Sequence, residues 1–412
     1  MPKKPQNKTR RRSTMFKKKV LLCMGTRPEI IKMAPVVRAL AEREIESVVF
    51  HTGQHREVAE PLYRLFGIQP VVNVDGLDRK GGSLAELGAA LLEAAHHAIA
   101  RETPDIVLVH GDTSSALMAA LAAYYHEISI GHVEAGLRTG DPYNPFPEEM
   151  NRRLIGRMAR WHFAPTRGAR AALELEGIPS SAIHMVGNTA VDAALDVARR
   201  SHLEPGLTVW PPELADLQAD DSQRHLVLVT AHRRENWGEG IAGIIQAVAT
   251  LVDTHPGITV VWPVHPNPAV RDAVHSGLAP AVARHPRRLR LVEPLDYTCL
   301  VALLERSWLV LTDSGGIQEE AAAFGTPVLV LRENTERPEL IAAGGGIVVG
   351  TDPRRIVVAA APMLHTPDLR AALVLHRNPF GDGAAALRIA RILDSSAVAE
   401  PGHTVHAELE DY

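Results

Sequence analysis

The sequence predicts an α/β protein made of two doubly wound parallel sheets facing each other across a cleft. Short apolar runs alternate with longer segments of helical periodicity, this alternation occurs twice, and polar residues collect where the apolar runs end. Uniformly apolar strands separated by helices indicate parallel sheets covered on both faces, as in Rossmann-like domains. In such sheets ligands bind beyond the carboxyl ends of the strands.

In the first half, VLLCMG from Val20, ESVVFHTG from Glu46, DIVLVHG from Asp105 and ISIGHVEAG from Ile128 read as buried strands. MAPVVRALAER, LAELGAALLEAAHHAIA and SSALMAALAAYYH carry the helical pattern between them. A polar, proline-containing interval follows from Ser201 to Arg224. After it, HLVLVTAH, GITVVWPVHP, RLRLVEP, WLVLTDSGG and TPVLVLRE restart the alternation. The halves share an architecture without the fixed-period repeat of a solenoid.

A chain of 412 residues is long enough for two cores. Its 46% hydrophobic and 22% charged residues match a globular protein, and a net charge of −4 argues against nucleic-acid or membrane-surface partners. Cys23 and Cys299 cannot build a disulfide framework and form no CxxC pair, which fits the reduced thiols of a cytoplasmic protein. No apolar run reaches the roughly 18 residues of a membrane span. Lys3 to Lys19 holds nine basic residues and no acidic one, and the apolar stretch behind it is too short for a signal peptide; it reads as a flexible tail.

The strand ends carry the chemistry. Gly25-Thr26-Arg27-Pro28-Glu29, with Lys32 one turn on, places two cations near a helix N-terminus, a natural anion site. It is not the GxGxxG fingerprint of nicotinamide dinucleotides. In LVLTDSGGIQEE a strand ends at Thr312 and a helix is expected from about Ile317. Ser314, Gly315 and Gly316 expose a hydroxyl and backbone N–H groups suited to phosphate. Glu320, one turn inside, would repel phosphate and suits ribose hydroxyls instead. Asp112 follows another strand, as an N-cap or as a reactive carboxylate. Glu134 ends an apolar strand and needs a partner; Glu148 follows Pro147 as a first-turn helix acid would, with Arg152 one turn beyond. Among 20 histidines, His232 and His265 end strands of the second half. No HxxxH, HExxH or GxSxG spacing occurs, so neither a metal site nor a serine hydrolase is expected.

GTRPEIIKMAP, TGQH, HGDTSSAL, GHVEAGLRTGDPYNPFPEE, NRRL, GNTAVDA, TAHRREN, PVHPNP, LTDSGGIQEE and ERPE occur in this order. Together they resemble the bacterial non-hydrolysing UDP-N-acetylglucosamine 2-epimerases, from about Lys18 to Ile392. The resemblance implies two glycosyltransferase-B-like domains, at 18–187 and 188–380, a helix at 381–396 returning to the first domain, flexible tails at 1–17 and 397–412, and a homodimer. It implies reversible C2 epimerisation of UDP-N-acetylglucosamine to UDP-N-acetylmannosamine through a 2-acetamidoglucal, without redox cofactor or metal, for cell-surface polysaccharide synthesis. Asp112, Glu134 and Glu148 would be catalytic, with Arg152 and His232 close by, and Asp112 and Glu134 would also touch the sugar. Arg27, Lys32, His232, Ser314, Gly315, Gly316, Glu320 and Arg337 would contact UDP or the sugar.

A second UDP-N-acetylglucosamine, acting as activator, would meet Gln54, Glu148, Arg233 and His265. Two positions depart from the family: Leu300 stands where many members place a phenylalanine near uracil, and Glu57 where some place an activator-contacting glutamine. A UDP-sugar glycosyltransferase of the same fold, a hydrolysing epimerase and a non-catalytic sugar-nucleotide sensor are the rival readings.

Overall fold

A computed structural model of the protein describes residues 18–53, 56–70, 72–73, 82–219, 225–375 and 377–396. The basic tail, Gln54, the Glu57 side chain and residues 397–412 lie outside the described residues. The first sheet holds β1 (Lys19–Met24), β2 (Glu46–His51), β3 (Val72–Asn73), β4 (Ile106–His110), β5 (Ser129–Val133), β6 (Trp161–Ala164) and β7 (Ile183–Met185). The second holds β8 (His225–Thr230), β9 (Ile258–Pro263), β10 (Leu289–Val292), β11 (Leu309–Thr312), β12 (Val328–Val330) and β13 (Gly346–Val348).

Strand order is β3-β2-β1-β4-β5-β6-β7 in one sheet and β10-β9-β8-β11-β12-β13 in the other, with every named pair parallel. The order reverses between β1 and β4, and again between β8 and β11. Connections leave these neighbours toward opposite faces, so a crevice opens at their carboxyl ends. The loops after β1, β4, β8 and β11 therefore define the two walls of a site.

Alternation along each strand sends side chains to two different cores. Val20, Leu22 and Met24 join Ile106 and Leu108 under the helices Arg27–Ala41, Thr189–Leu203 and Ala385–Ser395. Leu21, Cys23, Val107 and Val109 face the helices Leu84–Glu102 and Ser114–Tyr125. In the second sheet Val227 and Val229 lie on one face, Leu226 and Leu228 on the other.

The last described helix packs on the first sheet. Ala385, Ala386, Ile389, Ala390 and Leu393 are buried in the same core as Ile30, Val36 and Val197. Asp192 accepts the Ala386 N–H at 2.8 Å, and Lys18 Nζ donates to the Asp394 and Ser396 carbonyls at 2.6 and 2.7 Å. The chain thus enters the second sheet and returns.

Four strands escape the apolar-run reading: β3, β6, β7 and β13. Three of these are sheet edges of two or three residues, and β6 is the four-residue WHFA. Among the described residues no helix is long and apolar enough to cross a membrane, and no group of three or more His, Cys, Asp or Glu could hold a metal ion.

Candidate active site

The two walls enclose a cavity of about 610 Å³. Among the described residues, every candidate site residue read from the sequence lines it. A larger open groove of about 1210 Å³ runs along β10, away from the strand ends at the switch points, and contains none of these residues.

The first wall begins at Gly25, where a Cβ would stand 2.3 Å from Thr52 Oγ1; only glycine fits this approach. Buried Glu29 then ties the loop together. The Gly25 and Thr26 N–H groups donate to its Oε2 at 2.9 and 2.7 Å, and Thr113 Oγ1 donates to Oε1 at 2.6 Å. Pro28 sits in the first turn of the helix Arg27–Ala41, which delivers Arg27 and Lys32 to the cavity. Lys32 is paired with the Glu134 carboxylate and stands 2.9 Å from Glu319 Oε2 of the second domain.

Asp112 is not a helix cap. Thr113 is the N-cap, its Oγ1 accepting the Ala116 N–H at 3.0 Å, and the Asp112 carboxylate instead accepts from Arg152 Nε at 3.0 Å. Burial pushes the Asp112 carboxyl above its ordinary range; Arg152 opposes that push and Glu134 adds to it.

Glu134 sits in a left-handed conformation at φ 63°, a strained state for a non-glycine residue that directs its carboxylate inward. Asn188 Nδ2 donates to it at 3.3 Å and His110 Nε2 lies 3.7 Å away. Burial favours its protonation, but Lys32 and Arg337 outweigh burial and hold the carboxyl well below the usual carboxylate range. Glu148 opens the helix Glu148–Met158 and faces the cavity. Its neighbour Glu149, about 100° around the helix, is fully buried and braces Arg153 at 2.7 Å and Arg152 at 3.4 Å.

The second wall is built from donors. Ser314 is the N-cap of the helix Gly315–Ala323, which begins two residues before the expected Ile317. That earlier start places the Gly315 and Gly316 N–H groups in the first turn, where no intrahelical acceptor exists for them. Glu320 lines the cavity, and burial raises its carboxyl to about 7, with Arg27 opposing and Glu319 reinforcing. Arg337 lies beside Gly315 and donates to Glu319 Oε1 at 2.5 Å. Half-buried Leu300, on the helix Tyr297–Arg306, supplies an apolar wall.

His232 follows β8. Its ring stacks on His265 with centroids 5.1 Å apart and planes 9° apart, and Nδ1 is 3.5 Å from Asp313 Oδ1. Burial lowers its proton affinity, Asp313 opposes, and His265 and Arg233 reinforce the lowering.

The sequence alone assigns Glu319 and Asp313 no role, although both lie inside LTDSGGIQEE. Helix phase was the available signal: with the helix starting at Gly315, Glu319 stacks one turn above that glycine and Glu320 points about 100° away.

Two doubly wound sheets opening their switch points onto one cleft define a glycosyltransferase-B-like protein, and here carboxylates stand opposite a helix N-terminus. The sequence model of the UDP-N-acetylglucosamine 2-epimerase family matches residues 38–394, and the chain belongs to that family. It is 44% identical to the UDP-N-acetylglucosamine 2-epimerase of Yersinia pestis over 382 residues, 92% of this chain and 99% of that one. The Neisseria meningitidis UDP-GlcNAc 2-epimerase, solved bound to UDP-GlcNAc, superposes with a TM-score of 0.83 at 38% identity, covering 91% of this chain and 99% of that one. The Methanocaldococcus jannaschii enzyme, solved with UDP-GlcNAc and UDP, gives 0.73 at 31% identity over the same shares.

Proposed function

We propose that the chain interconverts UDP-N-acetylglucosamine and UDP-N-acetylmannosamine by eliminating UDP across C1–C2 and adding it back, without net hydrolysis. One observation carries this reading. Asp112, Glu134 and Glu148 line one wall of a cavity whose other wall is the Ser314–Gly316 helix N-terminus with Arg337.

The sugar C2 proton has no adjacent carbonyl to stabilise a carbanion, so direct deprotonation is prohibitively slow. Elimination avoids that intermediate: a carboxylate takes the C2 proton, the C–H electrons form the C1–C2 double bond, and UDP leaves with the C1–O pair. A second acid then returns a proton to the opposite face of C2 as UDP adds back. No electrons leave the substrate, so the cycle balances without a redox partner.

Lys32 holds Glu134 ionised and so free to accept a proton, though weakly basic as it stands; Asp112, pushed upward by burial, holds a proton more readily. A diphosphate beside Lys32 would share its ammonium and raise Glu134 toward a working base. Arg27, Arg337, His232 and the helix N-terminus hold the departing UDP, Glu320 accepts from ribose hydroxyls, and Leu300 contacts uracil. Closure of the walls keeps the glycal from water. Glu148, Arg233 and His265 form the described part of a subsite for a second UDP-N-acetylglucosamine as activator, in a cytoplasmic homodimer that supplies surface polysaccharide synthesis.

Incubation with UDP-N-acetylglucosamine in deuterated water, followed by NMR, tests the reading. Deuterium enters at C2 of both epimers and UDP does not accumulate. Turnover without C2 exchange, or strict dependence on NAD, overturns elimination; net release of UDP indicates hydrolysis, and transfer to a glycan acceptor indicates a glycosyltransferase.

A further inference from the structure

We propose that Asp313 is a positioning residue for His232, its Oδ1 facing Nδ1 and fixing which ring nitrogen carries the proton. Asp313 follows β11 at the switch point of the second sheet and is fully buried. Its two oxygens have different tasks. Oδ2 accepts three hydrogen bonds, from the His232 N–H at 2.9 Å, the Arg233 N–H at 2.8 Å and Asn236 Nδ2 at 2.9 Å. These bonds lock the loop after β8 to the phosphate-site turn.

Oδ1 has no hydrogen-bond donor among the described residues, an expensive state for a buried carboxylate oxygen. The polar atom it faces is His232 Nδ1 at 3.5 Å, which a small rotation of the imidazole brings into bonding range. Parallel stacking on His265 keeps the ring in the plane such a rotation requires.

A carboxylate oxygen can only accept, so the nitrogen opposite it must carry the proton. Nδ1–H is then committed to Asp313, and Nε2 is the nitrogen left for the cavity that His232 lines. The charged and titratable groups facing this ring are Asp313, His265 and Arg233; Asp313 favours the imidazolium and the other two disfavour it. In the neutral ring Nε2 is then an acceptor, and only the imidazolium, which Asp313 favours, presents an Nε2–H to an arriving anion. The consequence for turnover rests on the proposed epimerase reading, whereas the tautomer does not.

Ring nitrogen and proton NMR of the native protein, with histidine labelled, reads the tautomer directly. The expected neutral form of His232 is Nδ1–H; an Nε2–H form overturns the proposal with no variant needed. In Asp313→Asn the amide oxygen can still accept the three loop bonds while its NH₂ faces Nδ1. The proton should then move to Nε2, and the kcat limb that follows His232 should shift about one pH unit or more toward acid. A residue that only held the loop would change neither, so an unchanged tautomer in this variant also overturns the proposal. A switched tautomer with an unmoved kcat profile upholds the positioning and removes His232 ionisation from the epimerase cycle, which separates the two failures.

Discussion

The two walls of the cleft have the same topology and opposite chemistry. Each is made by loops at a strand-order reversal, β1/β4 on one side and β8/β11 on the other. The first offers side-chain carboxylates pinned by cations: Asp112 by Arg152, and Glu134 by Lys32. The second offers backbone N–H groups, a serine hydroxyl and Arg337. The fold specifies where a site forms, and the few residues after each strand decide whether that site presents carboxylates or hydrogen-bond donors.

The largest expected effect breaks the carboxylate wall alone. Asp112→Asn and Glu134→Gln keep shape but remove proton acceptors, so kcat should fall about 10²–10⁴-fold, while UDP affinity by calorimetry stays near that of the native protein. Loss of UDP binding as severe as in Ser314→Ala would make these nucleotide-site or folding residues instead.

The donor wall should fail the other way. Ser314→Ala and Glu320→Gln should raise KM more than they lower kcat, by roughly 5- to 150-fold, or about 1–3 kcal/mol per lost contact. Steady-state kinetics at saturating and limiting substrate separate the two patterns.

A pH experiment sharpens the contrast. Burial raises Glu320 from 4.5 to about 7, so the folded protein binds a proton there that the unfolded chain releases above 4.5. Folding stability therefore falls as pH rises from about 4.5 to 7, with the full cost, on the order of 3 kcal/mol, present above 7. Glu320→Gln should have a higher Tm than the native protein at pH 8, and the gap should narrow toward pH 5. A gap that is flat with pH would mean that Glu320 ionises normally. Smallest of all, a chain beginning at Met15 should keep kcat within tenfold, about 1.4 kcal/mol in the barrier.

Legibility in the sequence followed burial. Strands covered on both faces, such as β4 with IVLVH, read as unbroken apolar runs. Edge strands β3, β7 and β13 have only two or three residues to show, and internal β6 mixes aromatic side chains with His162. The candidate site was legible because strand-end residues are polar where their surroundings are apolar. Glu319, Asp313 and Glu149 were not, because each gains its role from a partner distant in the chain or from helix phase. Glu149 and Glu319 each sit next to another glutamate, Glu148 and Glu320, and composition cannot say which of two adjacent acids turns inward.

The return of the chain to its first sheet has a bearing on synthesis. Domains usually fold in the order in which they leave the ribosome. Here the core under Val20, Ile30 and Val197 is closed by Ala386, Ile389 and Leu393, which emerge after the second sheet is complete. The two cores that flank the second sheet draw their buried partners from Val191 to Phe380. A released chain ending near residue 380 should therefore yield a protease-resistant fragment from the second sheet, while the N-terminal sheet, its apolar stripe still open, is digested. Ile389→Ala, which leaves a cavity costing about 2–5 kcal/mol, should lengthen that vulnerable interval and leave the second sheet's resistance unchanged.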